Sequence, residues 1–489
     1  MRLIVEPVHT HAEGDFIEIQ ALEQHLIAKD DQDREFNLLE DNRFFTGLLP
    51  RVEEILKAHE LDYELEWTYD NRRVSPGDIV FPDNILPGIE LRAHQLSAGM
   101  KLIARGGRGV VNIATGGGKT ETACAVTKYY NVPTLFVNDR VKHANQALKR
   151  FQKYGIDCGL MSGGDHDLDH QVVSANIASL FTAIKHCDRD VLAMLERTEL
   201  LWFDECHHLV SDMWTRVGVS CNAPMRAGLS ASAFDDPNER YYEDLLLIGQ
   251  TGDVVCYVPP KWLIDRKYLA EPLIHYTAIN TPRPRTMDWM TVYKEGIVNN
   301  NYRNYLIAGY AHILRNFGHK VLILVQRIDH GKNLLNLLRD PTIVFSYGGD
   351  QMFRWDNGLV EETMTSEEMS NKFDNQTSGI LIGSTVYDES IDIPSMTALI
   401  MAGGGKKFRR TVQRIGRAAH STNEFVHVFD FWDCQHPYLQ KHSRERLNTY
   451  NQLEYKAFKD LSEFSNRTGI KVDPGQIVMD YARHFSALT

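Results

Sequence analysis

Seven consecutive residues, Ala114-Thr115-Gly116-Gly117-Gly118-Lys119-Thr120, have the types and spacing of a phosphate-binding loop. They follow the apolar run Val110–Ile113 and precede a helical pattern, and Ala114 stands where the general pattern has its first glycine. Glycines let successive backbone N–H groups face a phosphate, and the N-terminus of the following helix adds positive potential. Lys119 would reach the β- and γ-phosphates, and Thr120 would ligate Mg²⁺. The pattern therefore predicts binding of ATP with Mg²⁺.

Two adjacent carboxylates, Asp204 and Glu205, follow the apolar run Leu200–Phe203. A carboxylate at the tip of a strand beside a phosphate loop is where Mg²⁺ is needed, and a second one can orient or deprotonate the attacking water. We therefore expect Asp204 to bind the metal and Glu205 to act on the water.

A zinc site built from the next three residues, Cys206, His207 and His208, is an alternative interpretation. Three neighbouring residues rarely point at one ion, and no second pair of ligands with matching spacing occurs in the sequence. We therefore favour the magnesium interpretation of this segment.

The elements that would position these residues alternate between short apolar strands and helical stretches from Leu91 onward. Buried runs of this kind are typical of parallel sheets, and two successive β–α series imply two α/β lobes. The predicted strands are 110–113, 134–137, 172–173 and 200–203 in the first lobe and 321–325, 343–345, 379–382 and 398–401 in the second.

Residues before the first lobe carry no nucleotide motif and suggest a small α+β domain. Its predicted elements are strands at 3–5, 16–19 and 63–66 and an amphipathic helix at 48–59. The predicted domains are 1–88, an accessory domain expected to bind DNA, then 89–276 and 277–435 as the two lobes, and 436–489 as a helical tail.

The composition is that of an ordinary globular protein, with 43% hydrophobic and 24% charged residues among 489. No run reaches the ~18 apolar residues of a membrane span, and the start has no secretory-signal pattern, so we expect a cytoplasmic location. The seven cysteines include no CxxC pair, which favours a reducing compartment. The net charge of −12 counts against a passive nucleic-acid coat but leaves room for a motor with a local basic groove.

Four segments together resemble motifs I, II, III and VI of the superfamily 2 helicases, in order and in spacing: ATGGGKT (114–120), DECHH (204–208), GLSAS (228–232) and QRIGRAAH (413–420). The resemblance covers about residues 90–450. It is closest to the group that holds phage UvsW-type helicases, XPB-like helicases and the motor subunits of type III restriction enzymes. Supporting segments are LRAHQ (91–95), KYLAEP (267–272) and DESIDIP (388–394). The resemblance implies two tandem RecA-like domains that bind one nucleotide between them.

For the nucleotide, the resemblance implies that Arg92 and Gln95 lie near the adenine and that Asp392 approaches the ribose. Thr115 to Thr120, including Gly116, Gly117 and Gly118, would hold the phosphates. Gln413 and Arg417 would face the triphosphate from the second lobe, with Arg417 as the arginine finger. A cation inserted from a separate lobe stabilises charge on the γ-phosphoryl group, so hydrolysis would depend on closure of the lobes.

For the nucleic acid, the resemblance implies that Ser230 and Ser232 couple the ATP site to the strand-binding groove and that Ser384 meets a phosphate. Arg140 lies where motif Ia would contact the strand backbone, although a solvated loop explains that segment equally simply.

The sequence departs from the family pattern at three positions. Motif III ends in Ser232 instead of threonine, which keeps the hydroxyl, and motif V has Ser390 where glycine is common. Motif VI ends in His420 where a second arginine is usual, and histidine is weakly protonated near neutral pH. An inactive motor is the alternative, but Lys119 and the two motif II carboxylates are retained.

The sequence therefore predicts a monomeric ATP-dependent helicase or translocase that unwinds or branch-migrates branched DNA such as forks, R-loops and recombination intermediates. An RNA-remodelling helicase is one alternative, since motor motifs contact the backbone and rarely discriminate between sugars. A motor subunit of a restriction or defence complex is another, and it would need a partner protein because no nuclease signature occurs. A non-enzymatic nucleotide-binding scaffold is the fourth possibility. No membrane partner is expected.

Overall fold

The computed structural model describes residues 1–486 apart from 235–239, 385–386, 388–392, 394, 406–414, 417–418 and 420–422. The chain divides into an N-terminal unit, Met1–Val258, and a C-terminal unit, Pro259–Thr489. Among the described residues, no helix has the length and apolar character needed to cross a membrane.

The N-terminal unit contains a small mixed sheet, a two-stranded ribbon and a large sheet. Its strands are β1 (Arg2–Val5), β2 (His9–Glu13), β3 (Ile27–Lys29), β4 (Glu35–Asn37), β5 (Arg43–Phe45), β6 (Glu64–Trp67), β7 (Gly109–Ile113), β8 (Thr134–Asn138), β9 (Cys158–Ser162), β10 (Asp165–His166), β11 (Val172–Asn176), β12 (Leu200–Asp204), β13 (Met225–Ser230) and β14 (Val254–Val258). Its α-helices are α1 (Phe16–His25), α2 (Leu49–Ala58), α3 (Ala93–Ala104), α4 (Lys119–Tyr130), α5 (Val141–Lys153), α6 (Ile177–Lys185), α7 (Arg189–Arg197), α8 (Asp212–Val219) and α9 (Tyr242–Gln250). Short 3-10 helices cover Thr46–Leu48, Pro76–Asp78 and Cys206–Val210.

The large sheet of this unit has the strand order β10-β9-β11-β8-β12-β13-β7-β14. All its neighbours run parallel except the hairpin of β9 and β10. Its central strands are buried along their whole length, because their continuous apolar runs are covered by helices on both faces. The predicted parallel strands of the first lobe are confirmed.

The small sheet, with the order β5-β2-β1-β6, packs with its helices against the large sheet's own helices. The 3-10 helix Thr46–Leu48 approaches α9 so closely that a Cβ on Gly47 would lie 2.0 Å from the carbonyl oxygen of Ile248. Arg108 bridges the two parts, since its guanidinium donates to the carbonyls of Pro7 and Pro224 at 2.8 and 3.1 Å. Residues 1–88 are therefore fixed to the large sheet by close backbone packing and by the half-buried Arg108 side chain.

The strand predicted at residues 16–19 is wrong, because this segment begins α1. Asp15 caps the helix: its carboxylate accepts the N–H groups of Ile17 and Glu18, both at 2.9 Å. The Glu18 carboxylate in turn accepts the N–H of Asp15 at 2.9 Å. This reciprocal capping stabilises the first turn more than alternating apolar residues favour a strand.

The C-terminal unit is built around one nine-stranded sheet. Its strands are β15 (Glu271–Ile279), β16 (Lys320–Leu324), β17 (Val344–Tyr347), β18 (Gln351–Trp355), β19 (Leu359–Thr363), β20 (Gly379–Gly383), β21 (Ala398–Ile400), β22 (Phe425–Asp433) and β23 (Lys456–Phe458). Its α-helices are α10 (Pro260–Asp265), α11 (Trp289–Tyr293), α12 (Asn301–Asn316), α13 (Ile328–Leu338), α14 (Ser366–Asp374), α15 (Pro437–Gln452), α16 (Ser462–Thr468) and α17 (Pro474–Ser486), and a π-helix covers Lys294–Val298.

The strand order of this sheet is β19-β18-β17-β20-β16-β21-β22-β15-β23, and all pairs are parallel except β17 with β18 and β18 with β19. The predicted second α/β lobe is confirmed, and the tail is mainly helical, although β23 adds a strand to the sheet edge. The strand β15 spans the predicted boundary between residues 276 and 277 and pairs along its length with β22. The four predicted domain ranges stay a prediction.

Candidate active site

The phosphate-binding loop lies between β7 and α4, as the sequence predicts. Gly116 and Gly118 have φ angles of +77° and +85°, which favour glycine, and the N–H of Gly117 donates to the carbonyl of Ala114 at 2.9 Å. A Cβ on Gly118 would lie 2.1 Å from Nε2 of Gln95. The glycines therefore permit a tight turn that delivers Lys119 to the first position of a helix of 12 residues.

Polar side chains at the start of α3 contact three successive backbone carbonyls of this loop. The Arg92 guanidinium donates to Gly116 at 3.4 Å, and the Gln95 amide donates to Gly118 at 3.1 Å. Nε2 of His94 lies 2.7 Å from the Gly117 carbonyl oxygen. Each peptide group is planar, so carbonyls held on the α3 side turn their N–H groups away from it. The segment 92–95 thus fixes the loop's conformation.

The roles of Arg92 and Gln95 near adenine stay a prediction, while both side chains contact the loop backbone. His94 was missed, although it lies between them in the sequence and is 4% exposed.

The carboxylates Asp204 and Glu205 lie at the carboxyl end of β12. Glu205 has a φ of +50°, and its N–H donates to Oδ1 of Asp204 at 3.1 Å. Burial, together with the charge of Glu205, raises the pKa of Asp204 to about 6. Burial also acts to raise the pKa of Glu205, but its contact with His207 and the charge of Lys119 hold that pKa well below its usual range. Lys119 is thus electrostatically coupled to both carboxylates.

The donor set at this place fits a hard dication. Asp204 and Glu205 offer carboxylate oxygens, and the half-buried Thr120 offers a hydroxyl, all of which are ligand types that Mg²⁺ prefers. Burial and the neighbouring charge of Glu205 raise the pKa of Asp204, and the charges of His143 and Lys119 act against this rise. A bound cation would act in the same direction as these two positive charges.

A relay of polar contacts joins Glu205 to the end of the neighbouring strand β13. Nδ1 of His207 lies 3.3 Å from Oε2 of Glu205 and 3.2 Å from Oγ of Ser230. The N–H of Ser232 donates to that Oγ at 3.1 Å. The structure therefore connects motif II with motif III through His207 and Ser230, which lie 23 positions apart in the sequence. His207 is the connecting residue that sequence reasoning missed.

The zinc alternative is not supported by the placement of its three residues. The sulfur of Cys206 packs against Gly228 in the core, where an added Cβ would lie 2.7 Å from it. His207 contacts Glu205 and Ser230, and the ring of His208 stacks on Trp214 with centroids 5.6 Å apart. The rings of His207 and His208 have centroids 4.3 Å apart, but the ligand atoms of the three described side chains do not all lie within 4.8 Å of one another.

Arg140 follows β8 and is 40% exposed at the side chain, with Nε 3.4 Å from Oδ2 of Asp139. The other oxygen of Asp139 bonds Nδ1 of His143, one turn later in α5. The charge of His143 lowers the pKa of both Asp204 and Glu205, so this histidine belongs to the electrostatics of the site and was missed. The contact of Arg140 with a nucleic-acid backbone stays a prediction.

In the C-terminal unit, Ser384 follows β20 and is 8% exposed, and its N–H donates to the carbonyl of Ser346 at 3.1 Å. The predicted contact of Ser384 with a phosphate stays a prediction. Asp392, Gln413, Arg417 and His420 lie outside the described residues.

Two family models match the chain. Residues 88–235 match the type III restriction enzyme, res subunit, and residues 304–422 match the helicase conserved C-terminal domain. A DNA 3'-5' translocase XPB2 of Sulfurisphaera tokodaii is 25% identical over 360 residues, which cover 67% of this chain and 78% of that protein.

Among solved structures, S. cerevisiae Dbp5 bound to RNA and ADP BeF3 aligns with a TM-score of 0.53 at 12% identity over 80% of this chain and 94% of its own. T4 UvsW aligns over 94% of this chain and 98% of its own, at 15% identity and a TM-score of 0.43. The Dbp5 alignment supports the fold of two parallel-sheet domains flanked by helices.

Proposed function

Because the chain belongs to superfamily 2 of the helicases, we propose that it couples ATP hydrolysis to movement on DNA and that it remodels branched DNA. The main support is the site in the N-terminal unit. There the charge of Lys119 acts on both Asp204 and Glu205, and His207 contacts both Glu205 and Ser230. We propose that this chain of contacts, from the carboxylate that orients water to the end of a motif III strand, couples hydrolysis to strand movement.

Each residue of the site has a proposed role. Lys119 would bind the β- and γ-phosphates, Thr120 and Asp204 would hold Mg²⁺, and Glu205 would orient the attacking water. The magnesium ion would neutralise charge on the phosphate oxygens. The low pKa of Glu205 keeps it ionised and able to orient water at neutral pH.

Closure onto the C-terminal unit would supply the arginine finger Arg417. Hydrolysis would then be slow in the free protein and accelerated by nucleic acid, because Arg417 would first have to be brought to the nucleotide.

The choice of DNA over RNA rests on the named activity of the translocase relative. The choice of branched DNA rests on the sequence resemblance to the UvsW-type group. A restriction motor subunit is the second candidate, favoured by the description of the family that matches residues 88–235.

The predicted DNA-binding role of residues 1–88 conflicts with their charge. They hold 8 of the 53 lysines and arginines but 20 of the 65 aspartates and glutamates, so their formal net charge of −12 equals that of the whole chain. The remaining residues are balanced. Phosphates are bound mainly by clustered cations. We therefore propose that residues 1–88 stabilise the N-terminal unit and that the nucleic acid binds elsewhere.

The test is the rate of ATP hydrolysis with single-stranded DNA, duplex DNA, a fork, an R-loop and single-stranded RNA at equal nucleotide concentration. We expect the fork or R-loop to stimulate most, and Lys119→Ala to remove turnover on every substrate. Greater stimulation by RNA would favour the RNA-remodelling alternative. Turnover on duplex DNA alone would favour the restriction motor.

A further inference from the structure

A group of large apolar side chains lies exposed on the C-terminal unit at α11. Met287 is 59% exposed, Trp289 36% and Met290 53%. We call these three residues the Trp289 face. Adjacent exposed aromatic and methionine side chains are uncommon on a protein surface and mark a place of contact.

The opposite side of the same segment is firmly packed. Val292 and Tyr293 join Ile297, Val298 and Leu439 in a separate buried cluster. The Tyr293 hydroxyl also donates to the carbonyl of Gly403 at 2.8 Å. The Trp289 face is therefore held on a rigid support, and its exposure is not the fraying of a loose end.

The indole ring of Trp289 is itself oriented by neighbouring rings of α15. Its centroid lies 4.7 Å from that of His442 and 6.3 Å from that of Tyr438. A ring fixed in this way loses little conformational entropy when a second flat group stacks on it. The remaining exposed part of the indole can accept such a group.

Two exposed arginines accompany the Trp289 face, and one of them follows the carboxyl end of a strand of the sheet. Arg327 follows β16, is exposed, and donates to the sulfur of Met290 at 3.5 Å. Arg285 is also exposed two residues before Met287. The adjacent Asp288 carboxylate accepts the N–H of Thr291 and so caps α11. In open α/β sheets, ligands bind outside the carboxyl ends of the strands.

We propose that the Trp289 face and Arg327 form a stacking platform for one base of single-stranded nucleic acid. The base lies on the indole of Trp289, and the adjoining phosphate meets the Arg327 guanidinium. Aromatic rings bordered by arginine are how proteins hold single strands without reading sequence. This inference rests on the proposed function and adds a strand-holding site to it.

The test measures binding of fluorescent oligo(dT) and of a blunt duplex to the full chain, without nucleotide, across salt concentrations. Trp289→Ala and Trp289→Leu should each weaken oligo(dT) binding about 5- to 150-fold, the range for loss of one stacked base. Trp289→Phe should retain most of the affinity, because it keeps a ring. The leucine variant keeps apolar packing on Tyr438, and thermal unfolding of each variant shows whether the unit is intact.

Salt dependence separates stacking from charge. Arg327→Gln should lower the slope of log K against log salt by about 0.7, the contribution of one phosphate of a single strand. The Trp289 variants should leave that slope unchanged. Phe317→Ala is the matched control, since Phe317 is 62% exposed in the same unit but precedes β16 at its amino end. This control should bind oligo(dT) like the wild type.

Several outcomes would overturn the platform. Wild-type oligo(dT) binding by the alanine and leucine variants would do so, as would an equal loss on the blunt duplex, whose bases are already stacked. A change of oligomeric state in Trp289→Ala, seen by light scattering, would assign the face to a second copy of the chain instead. If the wild-type chain binds no nucleic acid at all, the proposed function fails first, and the two failures are therefore distinct.

Discussion

Replacing His207 tests whether the contacts that join motif II to motif III affect the rate of ATP hydrolysis. His207 lies 3.3 Å from Glu205 and 3.2 Å from Ser230, and it is 7% exposed. His207→Ala leaves the Glu205 carboxylate without this partner and detaches it from β13. We expect both the rate of hydrolysis and its response to nucleic acid to fall.

The size of the effect follows from the contact that is lost. The 3.3 Å contact between His207 and Glu205 is close but is not an aligned hydrogen bond, so the value for a hydrogen bond to a charged group, about 1.5–3 kcal/mol, sets the upper range of its contribution. If that stabilisation orients Glu205 in the transition state, its loss lowers kcat about 10- to 150-fold. His207→Gln retains a donor of similar reach and should recover part of the rate. Nucleotide binding should change little, because Lys119 and the loop glycines are untouched.

The assay is steady-state ATP hydrolysis with and without single-stranded DNA, together with the affinity for a fluorescent ATP analogue. His208→Phe is the matched control, because it keeps a ring against Trp214 beside the same site. A His207→Ala enzyme with wild-type kcat and wild-type stimulation would refute the relay. A loss of nucleotide affinity equal to the loss of kcat would also refute it, because it would indicate damage to the phosphate loop.

Three further predictions concern catalysis and stability. Glu205→Gln should bind ATP normally but stop hydrolysis, and a normal rate would move water activation to another residue. Arg226→Met should lower the free energy of unfolding by about 3 kcal/mol or more, measured in urea, because it strands three buried carbonyls that the guanidinium bonds at 2.7–2.8 Å. Burial lowers the pKa of His275 to about 3 and of His427 to about 4. As the pH falls below 6.5, these histidines gain protons in the unfolded chain but not in the folded protein. The folded protein should therefore lose stability over this range. Each histidine contributes about 2 kcal/mol between pH 6.5 and 5, and an unchanged pH slope in His275→Phe would contradict this origin.

The sequence by itself determined the two parallel sheets and the phosphate loop. A strand buried on both faces needs a continuous apolar run, and Val110–Ile113 and Leu200–Phe203 are such runs. The loop also needs glycine at its two positive φ angles, and the sequence supplies Gly116 and Gly118 at these positions. Residues 16–19 show the limit of local pattern, because a capping interaction from Asp15 outweighed their alternation.

Only the tertiary structure decided which distant residues share the site. His94 contacts the Gly117 carbonyl, 23 positions later in the sequence, because α3 packs beside the loop. His207 contacts Ser230, also 23 positions later, because β12 lies next to β13. Burial and the charge of Glu205 raise the pKa of Asp204, and the degree of burial is not encoded by any local sequence pattern. Sequence determines which groups can do the chemistry, whereas strand order and burial determine their distances and charges, since both depend on contacts between segments far apart in the chain.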